Sequence, residues 1–292
     1  MVNKITNYLE EFKYMLNLRG LTNNTVKAYS TYISAFLEFL KIHKCNPPEN
    51  VSYDLMRSFI NQIQSERNLC DRTINSVISQ LRFFTLYILH QNWDPTQLPL
   101  RKFDTYLPYV PSQKEMRTFL ATIQDLKFKA MAVLMYSAGL RVSEVCNLRY
   151  EDISRTNMKI HIAHAKNRSD RYAQLSTYAL DVLTDYWFKC GKPRNWLFPE
   201  KTNNQKPIYT QWVDINIEKH EKFLGWPKHI TCHTFRHAYG THLYEMGADL
   251  PTIKVLLGHK SIESTVIYVH LASTSLSKIK NPLDVIMGER NE

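Results

Sequence analysis

The segment 233–271, HTFRHAYGTHLYEMGADLPTIKVLLGHKSIESTVIYVHL, combines five histidines, one arginine and three tyrosines on an otherwise helical, amphipathic pattern. Such side chains can bind a metal ion, pack as ordinary core residues, or cleave a phosphodiester. His233 and His237 are spaced to share one helical face, as zinc ligands are, but the helix lacks the glutamate of an HExxH motif and no cysteine or carboxylate cluster lies nearby. We therefore predict no metal site and no cofactor.

Two cationic residues far upstream extend this pattern. Arg141 follows Gly139 in SAGLRVSEV, and Lys166 lies in a predicted hairpin loop. Taken alone, each is typical of a surface ion pair or a solvated loop charge. Considered jointly, the residues that could act on a phosphate occur in a fixed order along the chain, namely Arg141, Lys166, His233, Arg236, His259 and Tyr268.

This ordered set resembles the tyrosine recombinases, the family of the lambda-type integrases and the Xer-like recombinases, over nearly the whole chain. The family pattern is an arginine in a G-L-R-x-S-E context, a lysine on a β-hairpin, H-x-x-R, L-L-G-H, and a tyrosine about nine residues later. Every element is present here, in order. A single H-x-x-R is weak evidence, but six matched positions in sequence order are strong.

The resemblance implies that Tyr268 attacks a scissile phosphate, leaving a 3′-phosphotyrosine and a free 5′-hydroxyl. The negative charge of the phosphodiester grows on its non-bridging oxygens as the phosphorus becomes five-coordinate. Two guanidinium groups that make forked contacts are suited to this charge. We predict that Arg141 and Arg236 supply them.

The remaining predicted roles concern protons and orientation. A free phenol, with a pKa near about 10, needs a base or a strongly cationic pocket, and His233 is the candidate base. His259 is better placed as a hydrogen-bond donor to the phosphate. Lys166 is the candidate general acid for the leaving 5′-oxygen, with Lys159 and Arg168 as nearby alternatives.

Four further residues have supporting roles in this interpretation. Glu144, one turn beyond Arg141, resembles the family's carboxylate that orients the first arginine. We predict structural roles for His237, His242 and His270.

The elements that must position these residues begin with four amphipathic helices. Their apolar periodicity predicts helices over residues 3–19, from Thr22 to before the prolines of NPP at 46–48, over 52–66 and over 71–91. Short connections favour a bundle. The four prolines of residues 93–111 indicate a linker, and LTNNTVKAYSTYISAFLEFL resembles the opening of the family's core-binding domain.

The second half is predicted to be mostly helical around one hairpin. Ser112 and Glu115 predict a capping box, residues 127–139 a buried helix, and MKIHIAH and RYAQLS a hairpin, with helix again from residue 177 onward. The predicted fold is mainly α, with an N-terminal four-helix core-binding (SAM-like) bundle and a C-terminal catalytic domain containing a small antiparallel β-sheet. The predicted domains are 1–105, a linker at 106–111, and 112–292 with a tail from about 269.

Composition is consistent with a nucleic-acid enzyme. The 292 residues carry a formal net charge of +10, which favours a polyanionic partner. The five cysteines are scattered without a CxxC pair, which is typical of the reducing cytoplasm. No segment has the pattern of a signal peptide or a membrane span, so we expect no membrane partner.

The resemblance implies a site-specific recombinase that acts as a homotetramer, or with a related recombinase, on two paired double-stranded DNA sites through a Holliday junction, with possible accessory DNA-bending proteins. It also implies that the tail packs into a neighbouring protomer. The length resembles that of minimal Xer-like and transposon-borne enzymes. The NPLD tail departs from the usual Xer ending and favours a mobile-element integrase over an Xer-like resolver of chromosome or plasmid dimers. A type IB topoisomerase is disfavoured by the core-binding domain, and a non-catalytic DNA-binding protein by the six intact positions.

Overall fold

The computed structural model describes residues 2–45, 48, 51–104, 106–163, 170–226 and 228–272, without the side chains of residues 2–6. The chain divides into two compact units, residues 1–105 and 106–292. Lys166 and Arg168 lie outside the described residues, as does the predicted tail from residue 273 onward. The structure confirms the predicted mainly α fold with a small antiparallel sheet.

The first unit contains four helices joined by short connections. They are α1 Val2–Leu18, α2 Asn23–Ile42, α3 Tyr53–Arg67 and α4 Asp71–Tyr87. Phenylalanines from all four helices meet in the core: the ring centroids of Phe36 and Phe59 lie 5.0 Å apart, and those of Phe12 and Phe84 lie 6.1 Å apart. Burying such large rings from every helix stabilises the predicted bundle.

Local capping sets the ends of these helices. The side chains of Thr22 and Ser52 accept hydrogen bonds from the first turns of α2 and α3, as expected of N-caps. The predicted fourth helix is too long at its end. It stops at Tyr87 because the chain turns back there, with the Leu89 N–H donating to the Phe84 carbonyl and His90 in the left-handed region at φ 53°.

The second unit contains a three-stranded sheet and eight helices among its described residues. The helices are α5 Gln113–Thr122, α6 Leu126–Ser137, α7 Val142–Cys146, α8 Thr177–Lys189, α9 Thr210–Leu224, α10 Cys232–Glu245, α11 Leu250–Leu257 and α12 Glu263–Leu271. The strands are β1 Ile153–Ser154, β2 Lys159–Ile162 and β3 Arg171–Gln174, in the antiparallel order β1-β2-β3.

Several elements of this unit follow from local sequence. The predicted capping box is confirmed, since Ser112 and Glu115 exchange hydrogen bonds at the start of α5. From Ala130 to Met135 every residue of helix α6 is apolar and buried, as expected of a helix that packs on all sides there. The hairpin is also confirmed, with His161 opposite Tyr172.

The prediction of helix from residue 177 onward is wrong in part. Residues 190–209 contain no helix and instead form two isolated bridges, Arg149 with Trp196 and Pro199 with Pro207. The segment 233–271 is divided into α10, α11 and α12, because Gly247 and Gly258 adopt φ of 95° and 64° and end the helical runs. These breaks allow residues 236, 259 and 268 to face one another.

None of the described helices is both long enough and apolar enough to cross a membrane.

Candidate active site

Arg236, on α10, ties together the ends of two other helices. Its Nη1 donates to the Gly139 carbonyl and its Nη2 to the Leu257 carbonyl, both at 2.5 Å. These oxygens lie at the C-terminal ends of α6 and α11, where carbonyls lack helical partners and favour a cation. Arg236 therefore holds the segment that leads into Arg141 and the segment that leads into His259 against the same helix.

Gly139 is required for this close approach. Its φ is +60°, and a Cβ at this position would lie 2.5 Å from Tyr239 Cδ1 and 2.6 Å from Leu257 Cδ2. Both the left-handed backbone and the lack of space exclude a side chain. Packing therefore requires a glycine at position 139, two residues before Arg141.

Arg141 directly precedes α7 and contacts Glu144 in the first turn of that helix. The Glu144 Oε1 accepts a hydrogen bond from Arg141 Nη1 at 2.8 Å, and Oε2 accepts one from the Arg141 backbone N–H at 2.9 Å. The structure therefore brings the predicted orienting carboxylate and its arginine into direct contact. That this contact serves catalysis stays a prediction.

Arg171, the first residue of β3, is a partner of Glu144 that sequence analysis missed. Its Nη1 and Nη2 donate to Glu144 Oε1 and Oε2, each at 2.9 Å. Sequence analysis singled out three other basic residues around this hairpin. The only signal for Arg171 was its position beside the predicted hairpin loop, because its acidic partner lies on a distant helix.

The charges of this cluster shift its pKa values. Burial alone would raise the pKa of the Glu144 carboxyl, but the hydrogen bonds and charges of Arg171 and Arg141 together lower it below its ordinary value. Burial chiefly, with the like charge of Arg141, lowers the pKa of the Arg236 guanidinium to about 10. At neutral pH the cluster therefore holds three cationic guanidinium groups around one carboxylate.

His259 follows α11 and is held neutral. Its Nδ1 lies 2.9 Å from the hydroxyl of Thr265, which is fully buried in α12. Burial first, and then the charges of Arg236 and Arg141, lower the pKa of His259 to about 4. A neutral imidazole has one donor nitrogen, and among the described residues Nε2 has no hydrogen-bond partner, so this nitrogen remains for a ligand.

Tyr268 lies on α12 inside the same cluster. Its ring stacks on that of His259 with centroids 6.2 Å apart and an interplanar angle of 13°, and the residue is only 1% exposed. Burial raises the pKa of the phenol to about 12, although the charges of Arg236 and Arg141 oppose this shift. The hydroxyl is therefore protonated at neutral pH and must lose its proton before or during any nucleophilic attack.

Gly240 on α10 provides the surface on which the Tyr268 ring lies. A Cβ at Gly240 would be 2.5 Å from Tyr268 Cζ and 2.6 Å from Cε1. Real Cβ atoms do not approach other atoms so closely, so any larger residue must displace the ring. Gly240 was not identified from the sequence, because its requirement depends on the position of α12.

We expect the Gly240→Ala substitution to displace Tyr268 from its place. Alanine favours the helix by about 1 kcal/mol, but overpacking the ring costs about 1–3 kcal/mol. The free energy of unfolding should therefore rise on Gly240→Ala in a Tyr268→Ala background and rise less, or fall, in the wild-type background. Urea unfolding of the four proteins measures this coupling. Equal effects of Gly240→Ala in both backgrounds would contradict the contact.

The two histidines at the start of α10 are placed differently. His233 is exposed in the first turn, and its charge lowers the pKa of His237, for which burial is the larger cause. His237 lies closer to Tyr268, with ring centroids 6.2 Å apart at 58°. Its buried Nδ1 has no hydrogen-bond partner among the described residues. The sequence assigned His237 only a structural role, but the structure places its ring beside the tyrosine.

The other predicted residues lie around the cluster or away from it. Lys159, the alternative to Lys166, is exposed at the start of β2. His242 is buried, with Nδ1 2.9 Å from the Tyr136 hydroxyl and Nε2 3.1 Å from the Pro111 carbonyl, as a structural histidine should be. His270 is exposed on α12. Within the described ranges, no three histidine, cysteine, aspartate or glutamate side chains form a group that could hold a metal ion.

The neutral state of His259 predicts a dependence of stability on pH. Its folded pKa of about 4 lies below the unfolded value of about 6.5. Its contribution to the free energy of unfolding is therefore fully present above pH about 6.5 and is lost as the pH falls through about 4. We expect His259→Gln to lose less stability than the wild type between pH 7 and pH 5 in urea unfolding.

A matched control for this measurement is His270→Gln, which changes an exposed histidine of the neighbouring helix α12. This variant should keep the wild-type pH dependence. If His259→Gln also keeps it, the folded protein does not hold the His259 imidazole neutral.

The arrangement as a whole is suited to an anion whose charge grows during a reaction. Arg141 and Arg236 present guanidinium groups whose charges act on the protonated Tyr268, and His259 presents a neutral imidazole that stacks on the Tyr268 ring. Donors held in place before the reaction stabilise developing charge without a cost of reorganisation. A phosphodiester attacked by a phenol is such a substrate.

Comparison with known proteins agrees with this geometry. Residues 111–275 match the model of the phage integrase family, and residues 8–95 match the phage integrase N-terminal SAM-like domain. The chain is 32% identical over 272 residues to "Putative integrase/recombinase y4qK" of Sinorhizobium fredii, with 93% of this chain and 86% of that protein covered.

A second relative and a solved structure support the same assignment. The chain is 30% identical over 271 residues to the tyrosine recombinase XerC of Bacillus pumilus, with 87% of this chain and 88% of that protein covered. The structure of the XerH site-specific recombinase bound to its difH substrate aligns with a TM-score of 0.70 at 18% identity, covering 87% of this chain and 79% of that one, so this likeness concerns the fold. The chain therefore belongs to the phage integrase family and is an enzyme of the tyrosine recombinase class.

Proposed function

We propose that this recombinase cuts and rejoins DNA strands at specific sites through a 3′-phosphotyrosine intermediate and a Holliday junction, in the service of a mobile element. The observation that carries the proposal is the position of the buried Tyr268, which stacks on a neutral imidazole and lies within the field of two guanidinium groups. The charges of Arg236 and Arg141 both act on the phenol, and the His259 ring stacks on it.

The cleavage step assigns one task to each group. Arg141 and Arg236 bind the non-bridging oxygens of the scissile phosphate, and His259 donates a hydrogen bond from Nε2 to the same phosphate. The Tyr268 oxygen forms a bond to phosphorus as the bond between phosphorus and the 5′-oxygen breaks. The phosphotyrosine bond replaces the broken phosphodiester bond, and no bond is hydrolysed. The free 5′-hydroxyl of a partner strand can therefore reverse the step without ATP.

Two proton transfers complete the step. The phenol proton passes to a base, for which we propose His233 on the exposed first turn of α10. We propose its neighbour His237 as the alternative base, because its ring lies beside the tyrosine ring and its buried Nδ1 has no hydrogen-bond partner among the described residues. The departing 5′-oxygen takes a proton from Lys166, a role that rests on the sequence pattern of the hairpin.

The proposed partners follow from the same chemistry. Exchange of strands needs two paired double-stranded DNA sites and four copies of the enzyme, or of this enzyme and a related recombinase, each contributing one tyrosine. We propose that this assembly forms in the cytoplasm, with accessory DNA-bending proteins, and that the tail after Tyr268 docks onto a neighbouring protomer. The positive net charge of the chain supports binding to DNA.

The reaction can be tested with labelled DNA. Sites selected from random duplexes by their binding to the protein are made into nicked substrates that trap the covalent intermediate. We expect the protein to become attached to the labelled strand through the 3′-phosphate at the cut, and two full sites to yield Holliday junctions and recombinants. Relaxation of supercoiled DNA at any sequence, without exchange of partners, would instead support a type IB topoisomerase.

The mobile-element role rests on the sequence NPLD at residues 281–284, which departs from the pattern of Xer-like recombinases. The Sinorhizobium fredii integrase/recombinase and the Bacillus pumilus XerC are almost equally similar to this chain. Sequencing the DNA that flanks the gene tests the role. Inverted repeats beside the gene are expected, whereas their absence would support dimer resolution.

A further inference from the structure

Arg141 and Arg171 together occupy every acceptor position of the Glu144 carboxylate. Glu144 Oε1 accepts from Arg141 Nη1 at 2.8 Å and from Arg171 Nη1 at 2.9 Å, while Oε2 accepts from the Arg141 backbone N–H and from Arg171 Nη2, both at 2.9 Å. A carboxylate has about four acceptor positions, so Glu144 is saturated. Its plane, and with it the direction of the Arg141 side chain, is fixed from two sides.

This contact lies in the protein interior. The side chain of Arg171 is 11% exposed and that of Glu144 is 5% exposed. Paired guanidinium and carboxylate groups gain geometric specificity from such a bidentate contact, and burial strengthens it. The Nε of Arg171 is buried without a hydrogen-bond partner among the described residues. The orientation of the guanidinium is therefore set by its two hydrogen bonds to Glu144, although this orientation leaves Nε unpaired there.

The stem of Arg171 meets a second segment of the site. A Cβ at Gly258 would lie 2.6 Å from Arg171 Cδ and 2.8 Å from its Nε. Gly258 is the residue between α11 and His259, in the left-handed region at φ +64°. The backbone turn that presents His259 therefore rests directly on the Arg171 side chain.

We propose that Arg171 is a positioning residue for strand cleavage, which fixes the direction of Arg141 through Glu144 and the position of His259 through Gly258. This inference rests on the proposed cleavage reaction. Arg171 joins two segments that are far apart in the sequence, so one side chain of β3 determines the relative position of a guanidinium and an imidazole that must meet the same phosphate.

The charge of Arg171 also reaches the site. Burial is the largest cause of the lowered pKa of His259, and the charges of Arg236, Arg141, His237 and Arg171 add to it. Removing the Arg171 charge should therefore raise the pKa of His259. A residue that served only to hold β3 in place would not produce this change.

The test uses single-turnover cleavage of the nicked substrate by folded full-length protein. We expect Arg171→Gln to lower the saturating rate about 100-fold, because displacement of a reacting group by about 1 Å costs on this order. Arg171→Lys should fall at least about tenfold, since an ammonium cannot span both carboxylate oxygens. The protein concentration at half-saturation should stay unchanged, and the pKa of His259, followed by NMR, should rise in Arg171→Gln.

Arg155→Gln is the matched control. Arg155 directly follows β1, is exposed, and donates to the Thr184 hydroxyl rather than to any residue of the cluster. Arg155→Gln removes the same charge as Arg171→Gln, at a position beside the same sheet. We expect its cleavage rate and its His259 pKa to equal those of the wild type.

A second comparison isolates the contact with Gly258. Gly225 has nearly the same backbone conformation, φ +60°, and a Cβ at this position would meet no atom within 4 Å. Gly258→Ala and Gly225→Ala therefore impose the same backbone strain, but only Gly258→Ala displaces Arg171. We expect Gly258→Ala to slow cleavage at least about tenfold, Gly225→Ala to leave the rate unchanged, and Gly258→Ala to have little further effect in an Arg171→Ala background.

The outcomes separate the two proposals. If the wild type forms no covalent adduct with DNA, or if Tyr268→Phe forms the same adduct, the proposed function is wrong. If the wild type does form the adduct and folded Arg171→Lys and Arg171→Gln cleave within about threefold of its rate, only the positioning role of Arg171 is overturned. If Arg171→Gln does not fold, Arg171→Lys and the comparison of Gly258→Ala with Gly225→Ala decide. The role is overturned if folded Arg171→Lys and Gly258→Ala both cleave within about threefold of the wild-type rate.

Discussion

We expect the Tyr268→Phe variant to form no covalent adduct with DNA. The substitution removes the one oxygen that can bond to phosphorus, and loss of a nucleophile that acts with its partners costs more than about 10⁴-fold in rate. Phenylalanine retains the ring that stacks on His259 and lies over Gly240. Folding and DNA affinity should therefore be preserved, and denaturing electrophoresis of the nicked-substrate reaction measures the adduct.

Tyr239→Phe is the control for this result. Tyr239 is a partly buried tyrosine packed against the same apolar cluster as Tyr268, and it contacts the Gly139 position. This variant should form adduct at nearly the wild-type rate. An adduct with Tyr268→Phe, or its loss with Tyr239→Phe alone, would show that another residue is the nucleophile.

The second large effect is expected at Arg141, where lysine should be nearly as harmful as alanine. The Arg141 guanidinium must bond to Glu144 and to the phosphate at the same time, which a planar fork allows and a single ammonium does not. Losing one such donor costs about 3–4 kcal/mol in the transition state, or about a hundredfold or more in rate. Single-turnover cleavage by Arg141→Lys and Arg141→Ala measures both losses.

Arg141 is a cleaner test than Arg236, whose two carbonyl contacts hold α6 and α11 and whose loss would also disturb folding. Arg194→Lys, at an exposed position, is the control for the change of cation type. If Arg141→Lys cleaves within about threefold of the wild type, a point charge is sufficient and the forked contact with the phosphate does not form.

Part of the fold could be predicted because its causes are local. The N-caps Thr22 and Ser112 act on backbone groups three residues away, and the alternating pattern of the hairpin needs only its own strands. The error at residues 190–209 has a different origin. That segment is held by an isolated bridge to a distant residue, Arg149 with Trp196, and by a second bridge within itself, Pro199 with Pro207. Neither bridge leaves a periodic signal in the sequence.

The candidate site shows the same division. The motifs around Arg141, Arg236, His259 and Tyr268 are short and ordered, so the sequence alone determined which residue types are present and that the chain resembles the tyrosine recombinases. Their assembly into one cluster depends on the breaks at Gly247 and Gly258 and on the carbonyl contacts of Arg236.

Only the tertiary structure decided which other residues this cluster requires. Arg171 matters because its guanidinium reaches Glu144, Gly240 because the Tyr268 ring lies on it, and His237 because its ring is beside that tyrosine. Each requirement arises from a contact between segments that are distant in sequence. Side-chain type and local spacing specify the reacting groups, whereas the packing of separate helices and a strand determines the distances and pKa values at which those groups meet.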